Sequence, residues 1–325
     1  MLRVHGLDDL APGLFRRPVA ALGVFDGVHL GHRAVVAATV ALARESGGEA
    51  VAVTFDIHPR IVVDGSGPGL LTSLPHRLRL LAEAGAAAAV VLRFDEALRE
   101  RSAGEFLEGI LLGRMGIAGL VLGPDSHFGK DRRGNFDLAR AVLEPRGVPV
   151  RAVGRVQCTL GAVSSTAIRA AVRAGDLEGA AAMLGRPPSV LGTVVRGDGR
   201  GRTLGTPTAN LDLSHEIRPP RGVYVGRAVL PPGGERYALV NVGGRPTFHP
   251  EGTAEDTVEA WFPGWEGDLY GQELEVSFLA RLREERRFAG PEELKAQIRR
   301  DHASMVEWIR LHSPAPLQDN GGSRT

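Results

Sequence analysis

Residues 23–32 read Gly23-Val24-Phe25-Asp26-Gly27-Val28-His29-Leu30-Gly31-His32, and this order decides the fold of the first half of the chain. The small apolar run from Val19 to Val24 leads into a glycine-rich turn, and an alanine-rich helical run is expected from about Ala34. Strand, glycine turn and helix together bring backbone N–H groups and a helix N-terminus against a phosphate. His29 and His32 stand three apart at the helix entrance, so both can face one ligand. Gly31 between them has no side chain to keep a phosphate away. A plain βα turn with two solvated histidines would use the same residue types. Phe25, Asp26 and Gly27 in front of the pair weigh toward a site.

Outward from that turn, strand-like and helix-like segments alternate. Ala50 to Phe55, Ala87 to Phe94, Gly119 to Gly123 and Val148 to Val153 read as strands, and Leu78 to Ala84 and Phe136 to Leu143 as helices. Ser102 with Glu105 forms a capping box ahead of a helix running to about Leu112. Ser165 and Asp176 are expected N-caps of two short helices ending near Leu184. The alternation predicts an α/β unit with a parallel sheet, whose ligands bind beyond the carboxyl ends of its strands.

The character changes at Gly185-Arg186-Pro187-Pro188. Val190 to Val195, Val223 to Leu230, Tyr237 to Val242, Thr257 to Phe262 and Leu274 to Leu279 are strand candidates. Gly and Pro clusters at Pro219-Pro220, Pro231 to Gly234 and Pro250 to Gly252 separate them. That pattern predicts a barrel or sandwich. Pro291 opens a last helix whose apolar positions, Leu294, Ile298, Met305, Trp308 and Ile309, are expected to pack on the barrel. The expected domains are residues 1–185 and 186–312, with residues 313–325 a disordered polar tail.

A chain of 325 residues accommodates two domains, and 43% hydrophobic with 24% charged residues is ordinary for a soluble protein. A net charge of +1 supplies no global field toward nucleic acid or a membrane surface. Lysine occurs only at Lys130 and Lys295, so an arginine by itself says little about phosphate binding. The single cysteine, Cys158, excludes an internal disulfide and a cysteine-based zinc site, and is expected to be a buried structural thiol. The N-terminus carries no signal-like pattern and no run approaches a membrane span, so a cytoplasmic location is expected.

Nucleotidyl transfer requires neutralisation of the α-phosphate as it becomes five-coordinate, and stabilisation of the departing pyrophosphate. Two imidazoles at a helix N-terminus meet the first need. Val163-Ser164-Ser165-Thr166-Ala167-Ile168-Arg169 offers hydroxyls, free N–H groups and an arginine one turn on, which suit the second. Read alone, Ser165 is equally a simple N-cap. Thr54 to Pro59 and Leu122 to Gly129 each place polar groups at the end of an expected strand, as ordinary loops also do.

In this order, G-x-FDG-x-H-x-GH, TF-x-x-HP, G-x-D-x-x-FG and SST-x-IR resemble the adenylyltransferase module of bacterial bifunctional riboflavin kinase/FAD synthetases. Those modules are H-x-G-H nucleotidyltransferases with a Rossmann-like α/β fold. The resemblance implies ATP binding by Gly23, Phe25, Asp26, Gly31, Ser164, Ser165, Thr166 and Arg169, with His29 and His32 catalytic. It implies that His58, Pro59 and Asp125 belong to the flavin side, and that FMN's phosphate attacks the α-phosphate with no covalent enzyme intermediate. Ile57 stands where the family usually has proline, Ser126 where it usually has phenylalanine, and His127 where arginine is common. These departures lie in the flavin-side loops and leave open an acceptor other than FMN.

Gly192 to Leu211 reads GTVVRGDGRGRTLGTPTANL and contains no P-loop. Its Pro207-Thr208-Ala209-Asn210 turn presents a hydroxyl and an amide oxygen two residues apart, hard donors that suit Mg²⁺. A hairpin with a polar, glycine-rich tip would read the same way. The stretch is similar to the riboflavin kinase signature of the same family. Gly222-Val223-Tyr224, Asn241-Val242-Gly243, Arg245-Pro246-Thr247, Val258-Glu259 and Leu269-Tyr270-Gly271 follow it in order. The resemblance implies a small antiparallel barrel and ATP contacts from Gly197, Gly205, Pro207 and Thr208. It also implies magnesium ligands at Thr208 and Asn210 and a general base at Glu259, which would take the proton of riboflavin's ribityl 5′-hydroxyl. Glu259 as an ordinary strand carboxylate is the plainer reading. Thr206 stands where the family usually has an aromatic residue. The whole implies conversion of riboflavin and ATP to FMN, and then to FAD. A flavin-responsive regulator without catalysis is a third reading, against which the retained His29, His32, Thr208, Asn210 and Glu259 argue.

Overall fold

The computed structural model describes residues 1–312 apart from residues 12, 65–66, 198–200, 202–204, 214–215 and 245–255. The Arg245-Pro246-Thr247 motif, the Pro250 to Gly252 turn and the 313–325 tail lie outside the described residues. Two compact units are present: Met1–Val190 with Ser214–Ile217, and Leu191–Leu213 with the chain from Arg218 onward. No helix of the described residues is long and apolar enough to cross a membrane.

The first unit is built on β1 (Leu2–His5), β2 (Val19–Leu22), β3 (Ala50–Phe55), β4 (Ala88–Leu92), β5 (Gly119–Leu122) and β6 (Val150–Ala152). All pair in parallel, in the order β1-β4-β3-β2-β5-β6. β2, β4 and β5 are buried along their whole length, because a parallel sheet covered on both faces needs unbroken apolar runs. β1 adds an edge strand that its four largely exposed residues, too few for a period, did not announce. β2 lies between β3 and β5, so the chain order reverses beside it, at the kind of point where open α/β sheets bind their ligands.

The helices of this unit are α1 (Leu30–Glu45), α2 (Pro59–Asp64), α3 (Leu74–Glu83), α4 (Glu96–Arg99), α5 (Ala103–Glu105), α6 (Phe136–Leu143), α7 (Ser165–Ala174) and α8 (Leu177–Leu184). The Ser102–Glu105 capping box is present, but beyond it the helix continues as a π-helical stretch, Phe106–Arg114. α1 begins before the expected Ala34, because His29 caps it: the ring accepts a hydrogen bond from the backbone N–H of His32. The N-cap of α7 is Ser164, not Ser165; the Ser164 hydroxyl accepts from Ala167 N. Asp176 caps α8 as expected. Cys158 is half-buried on the short hairpin of β7 (Gln157–Cys158) and β8 (Gly161–Ala162) instead of buried in the core.

Glu216 and Ile217 belong to this unit although the residues on either side of their segment do not. Ile217 N donates to Leu70 O, and the buried Glu216 carboxylate accepts from Ser73 N at 2.6 Å and meets His76 Nδ1 at 3.1 Å. These contacts fix the start of α3.

The second unit is a closed barrel of β9 (Ser189–Val195), β10 (Thr208–Leu213), β11 (Gly222–Val229), β12 (Glu235–Gly244), β13 (Asp256–Trp261) and β14 (Glu273–Glu284), in the order β10-β13-β12-β11-β14-β9. Closure removes the exposed sheet edges. The last helix, α9 (Pro291–His312), buries Met305 and Ile309 against Val223, Val225 and Leu239. Its buried Gln297 and Asp301 break the expected apolar stripe because Asp301 accepts a two-pronged pair of hydrogen bonds from Arg283. Thr208 and Asn210 stand on β10, a barrel strand, and not on a hairpin tip, since β9 and β13 pair with it on both sides.

Candidate active sites

The turn that leaves β2 is strained and held from several directions. Phe25, Gly27 and Val28 have φ of 55°, 85° and 38°, and the first and last of these are unusual for side chains of their size. Gly23 permits the Phe25 ring to lie over the backbone, since a Cβ there would approach the ring to 3.1 Å. Gly27 N donates to Thr72 Oγ1, Ser165 Oγ donates to Asp26 O, and Arg186 Nη2 donates to Gly27 O at 2.9 Å. The Asp26 carboxylate is buried and faces inward. It accepts from Leu71 N and Thr72 N and pairs with Arg169 Nη2. Arg169 also donates through Nε to Gly69 O.

This clamp presents the two histidines. Their rings stack with centroids 3.6 Å apart, and Phe25 meets His32 edge-on at 5.3 Å. Gly31 leaves room for the arrangement; a Cβ there would lie 3.1 Å from the His29 ring. Because His29 Nδ1 accepts from His32 N, the neutral ring carries its proton on Nε2, which can donate outward. Burial pushes His29 down to about 4, opposed by the Asp26 charge and helped by Arg186 and Arg169. Burial, then His29 and Arg77, hold His32 well below its ordinary value. Both rings are neutral at pH 7. His32 Nδ1 is buried and has no hydrogen-bond partner among the described residues.

Of the other expected residues, Ser164 and Ser165 lie at the start of α7 and Thr166 is exposed there. His58 follows β3, is half-buried, and accepts through Nδ1 from Arg60 N; Pro59 opens α2. Burial lowers His58, with Asp26, Arg169 and Arg77 all acting on it, so it stands near the clamp. Asp125 pairs with Arg155 at 2.6 Å on the exposed loop after β5, and Ser126 Oγ accepts from Gly123 N to close that loop. The sequence reading missed Thr72, Arg186 and Arg77. Nothing in the sequence separates the last two from the other arginines of an arginine-rich chain.

In the barrel, Asn210 of β10 lies opposite Glu259 of β13, and Glu259 lies opposite Asn241 of β12. Directly opposed residues share a face with Cβ atoms about 5 Å apart. Asn210, Glu259 and Asn241 therefore form one row, each half-buried. Asn241 belongs to a quoted motif but was not singled out as a site residue. Gly197 packs against the Asn210 amide, where a Cβ would come within 2.5 Å, and a Cβ on Gly201 would stand 3.2 Å from Thr208 Oγ1. Gly205 takes a φ of 76°, and Pro207 leads into Thr208. Thr206, at the aromatic position, is tied by its backbone N–H to Gly201 O.

A parallel α/β unit with a histidine-capped helix at its switch point, followed in the chain by a small closed barrel, is the arrangement to be compared with known two-module enzymes. The FAD synthetase family matches residues 14–167, and the riboflavin kinase family matches residues 184–309. A bifunctional riboflavin kinase/FMN adenylyltransferase of Pseudomonas fluorescens is 37% identical over 304 residues, covering 94% of this chain and 96% of its own. The Escherichia coli (strain K12) protein of the same name is 32% identical, covering 97% and 100%. A Streptococcus pneumoniae crystal structure titled as a macrolide-efflux protein superposes with a TM-score of 0.81 at 28% identity, over 95% of this chain and 100% of that one. The chain belongs to the bifunctional riboflavin kinase/FMN adenylyltransferase family. It joins the two activities in one molecule, making FMN from riboflavin and FAD from FMN, with ATP a substrate of both steps. FMN is thereby the acceptor that Ile57 and Ser126 had left open.

Proposed function

We propose that residues 1–185 carry adenylyl transfer through the His29 turn, and that residues 186–312 phosphorylate riboflavin on the β10–β13 face. In the first unit the neutral imidazole of His29 donates its Nε2–H to an α-phosphate oxygen, and His32 stacks behind to hold the ring. Gly23, Phe25 and Gly31 shape the nucleotide's seat. A phosphate oxygen of FMN attacks the α-phosphorus as the bond to the bridging oxygen breaks. The departing pyrophosphate meets the start of α7, with Ser164, Ser165 and Thr166. Asp26 and Arg169 serve this site by holding the turn, and His58, Pro59 and Asp125 border the acceptor.

In the second unit Glu259 accepts the proton of the ribityl 5′-hydroxyl as that oxygen attacks the γ-phosphorus of ATP, and ADP leaves. Gly197, Gly205 and Pro207 let the backbone approach the nucleotide. Thr208 and Asn210 present hard oxygen donors on one face of a strand, with glycines packed against both. That set fits Mg²⁺ completed by phosphate oxygens and water, and the ion would neutralise phosphate charge. Dependence on ATP in both steps suits a cytoplasmic location.

The observation that carries this reading is the stacked, capped histidine pair at the switch point of the sheet. The test is incubation of the full chain with riboflavin, ATP and Mg²⁺, with flavins separated by chromatography. FMN followed by FAD is expected from the parent chain, and FMN without FAD from His29→Ala. Loss of both products in His29→Ala would sink the division of labour.

A further inference from the structure

Arg77 is the most completely enclosed arginine among the described residues, with no exposed surface. Three of its contacts come from one nitrogen: Nη1 donates to Val24 O at 3.0 Å, to Thr54 Oγ1 at 3.1 Å and to Phe55 O at 2.9 Å. Val24 lies just beyond β2, in the turn that carries Phe25, His29 and His32. Thr54 and Phe55 end β3, which runs directly into Asp56, Ile57 and His58. Thr54 Oγ1 in turn donates to Val24 O, so the two strand ends are cross-linked around the guanidinium. Arg77 Nε is buried and has no hydrogen-bond partner among the described residues, and none of the three Nη1 hydrogen bonds goes to a carboxylate.

An apolar side chain could fill this space without the penalty of burying a charge. A charged group kept there joins the nucleotide-side turn to the acceptor-side loop. Its field reaches both: Arg77 acts on His32 and on His58.

We propose that Arg77 is a positioning residue for adenylyl transfer, one that touches neither substrate but fixes the register of the ATP-side turn against the acceptor-side loop and sets the charge beside His32. Alignment of two bound reactants is a contribution to turnover more than to affinity, and a displacement of about 1 Å can cost on the order of 100-fold in rate.

The test uses the full chain with Arg77→Gln and Arg77→Lys. Riboflavin phosphorylation by the same preparation is the internal control. In Arg77→Gln, kcat for FAD formation is expected to fall about 10- to 100-fold while KM for ATP and for FMN stay within about threefold. Arg77→Lys, which keeps a cation and its donors, is expected to recover most of that loss. The groups acting on His32 are His29 in its own turn and Arg77 from α3, and those acting on His29 are Asp26, Arg169 and Arg186. With the Arg77 cation removed, the acidic limb of the FAD-forming rate therefore moves to higher pH in the Gln variant and stays in place in the Lys variant. A rise in KM with kcat unchanged, an unmoved limb, or an equal fall in riboflavin phosphorylation would overturn the proposal. Should Arg77→Gln not fold, Thr54→Val takes its place, since it removes one acceptor of Arg77 Nη1 and leaves the charge. A fall in kcat for FAD formation with KM and riboflavin phosphorylation unchanged is expected, and an unchanged kcat overturns the proposal.

Discussion

Asp26 and Arg169, 143 residues apart in the chain, form a buried ion pair with Nη2 2.5 Å from Oδ2. The same carboxylate gathers the N–H groups of Leu71 and Thr72, so one side chain joins the turn after β2, the approach to α3 and the helix α7. A turn with positive φ at Phe25 and Val28 persists only where its surroundings over-determine it, and this carboxylate is the centre of that restraint.

Asp26→Asn therefore leaves Arg169 as a buried charge with no counter-ion. It is expected to lower unfolding stability by about 3 kcal/mol and to suppress FAD formation, while riboflavin phosphorylation persists. Urea unfolding with separate assays of the two products checks this. A neutral effect on stability would mean that water compensates Arg169.

Acid should weaken the first unit through His29. The unfolded ring titrates near 6.5 and the folded ring near 4. Between those values the unfolded chain binds a proton that the folded one refuses, so stability present above pH 6.5 is lost as pH falls toward 4. The loss is about 3 kcal/mol for this ring alone. His29→Asn is expected to flatten that part of the stability–pH curve, measured by thermal unfolding at a series of pH values. A slope equal to that of the parent chain would assign the effect elsewhere.

For chemistry, His29→Asn and His29→Ala are expected to reduce the FAD-forming kcat by about 10²- to 10³-fold, the usual cost of one well-placed donor to a developing charge. FMN formation is the control. Since Asn retains a donor, the Asn variant should stand above the Ala variant. The reverse order would show that His29 acts by something other than donation.

In the barrel, Glu259→Gln is expected to abolish riboflavin phosphorylation and Asn210→Ala to depress it strongly, and both are expected to leave adenylylation of supplied FMN intact. Asn210→Ala should also raise the Mg²⁺ concentration needed for half-maximal FMN formation. Gly197→Ala is a sharper test, because its Cβ would fall 2.5 Å from the Asn210 amide. It should displace that side chain and depress the kinase by at least tenfold without touching the FAD-forming step. A Gly197→Ala enzyme with normal Mg²⁺ response would remove Asn210 from the metal site.

Much of this architecture is local in origin. The runs around Val51, Val90 and Leu120 are apolar without a break, as strands covered on both faces must be, and each became a strand of the parallel sheet. The His29-x-Gly31-His32 spacing places two rings on one helix entrance whatever surrounds it. The strands after Pro188 other than β10, and the Met305 and Ile309 positions of α9, were legible from the same kind of periodicity. Tertiary structure decided what lies between distant segments. Ser164 and Ser165 are equivalent as caps until the carbonyl of Asp26 arrives to accept the second hydroxyl. Thr208 and Asn210 stand on a strand because β9 and β13 close on either side of them. Arg77 looks like any helical arginine until the ends of β2 and β3 converge on it. Periodicity records which residues leave water. The partner each buried charge finds depends on packing across long stretches of chain, and the turn proposed for adenylyl transfer is held by such pairs.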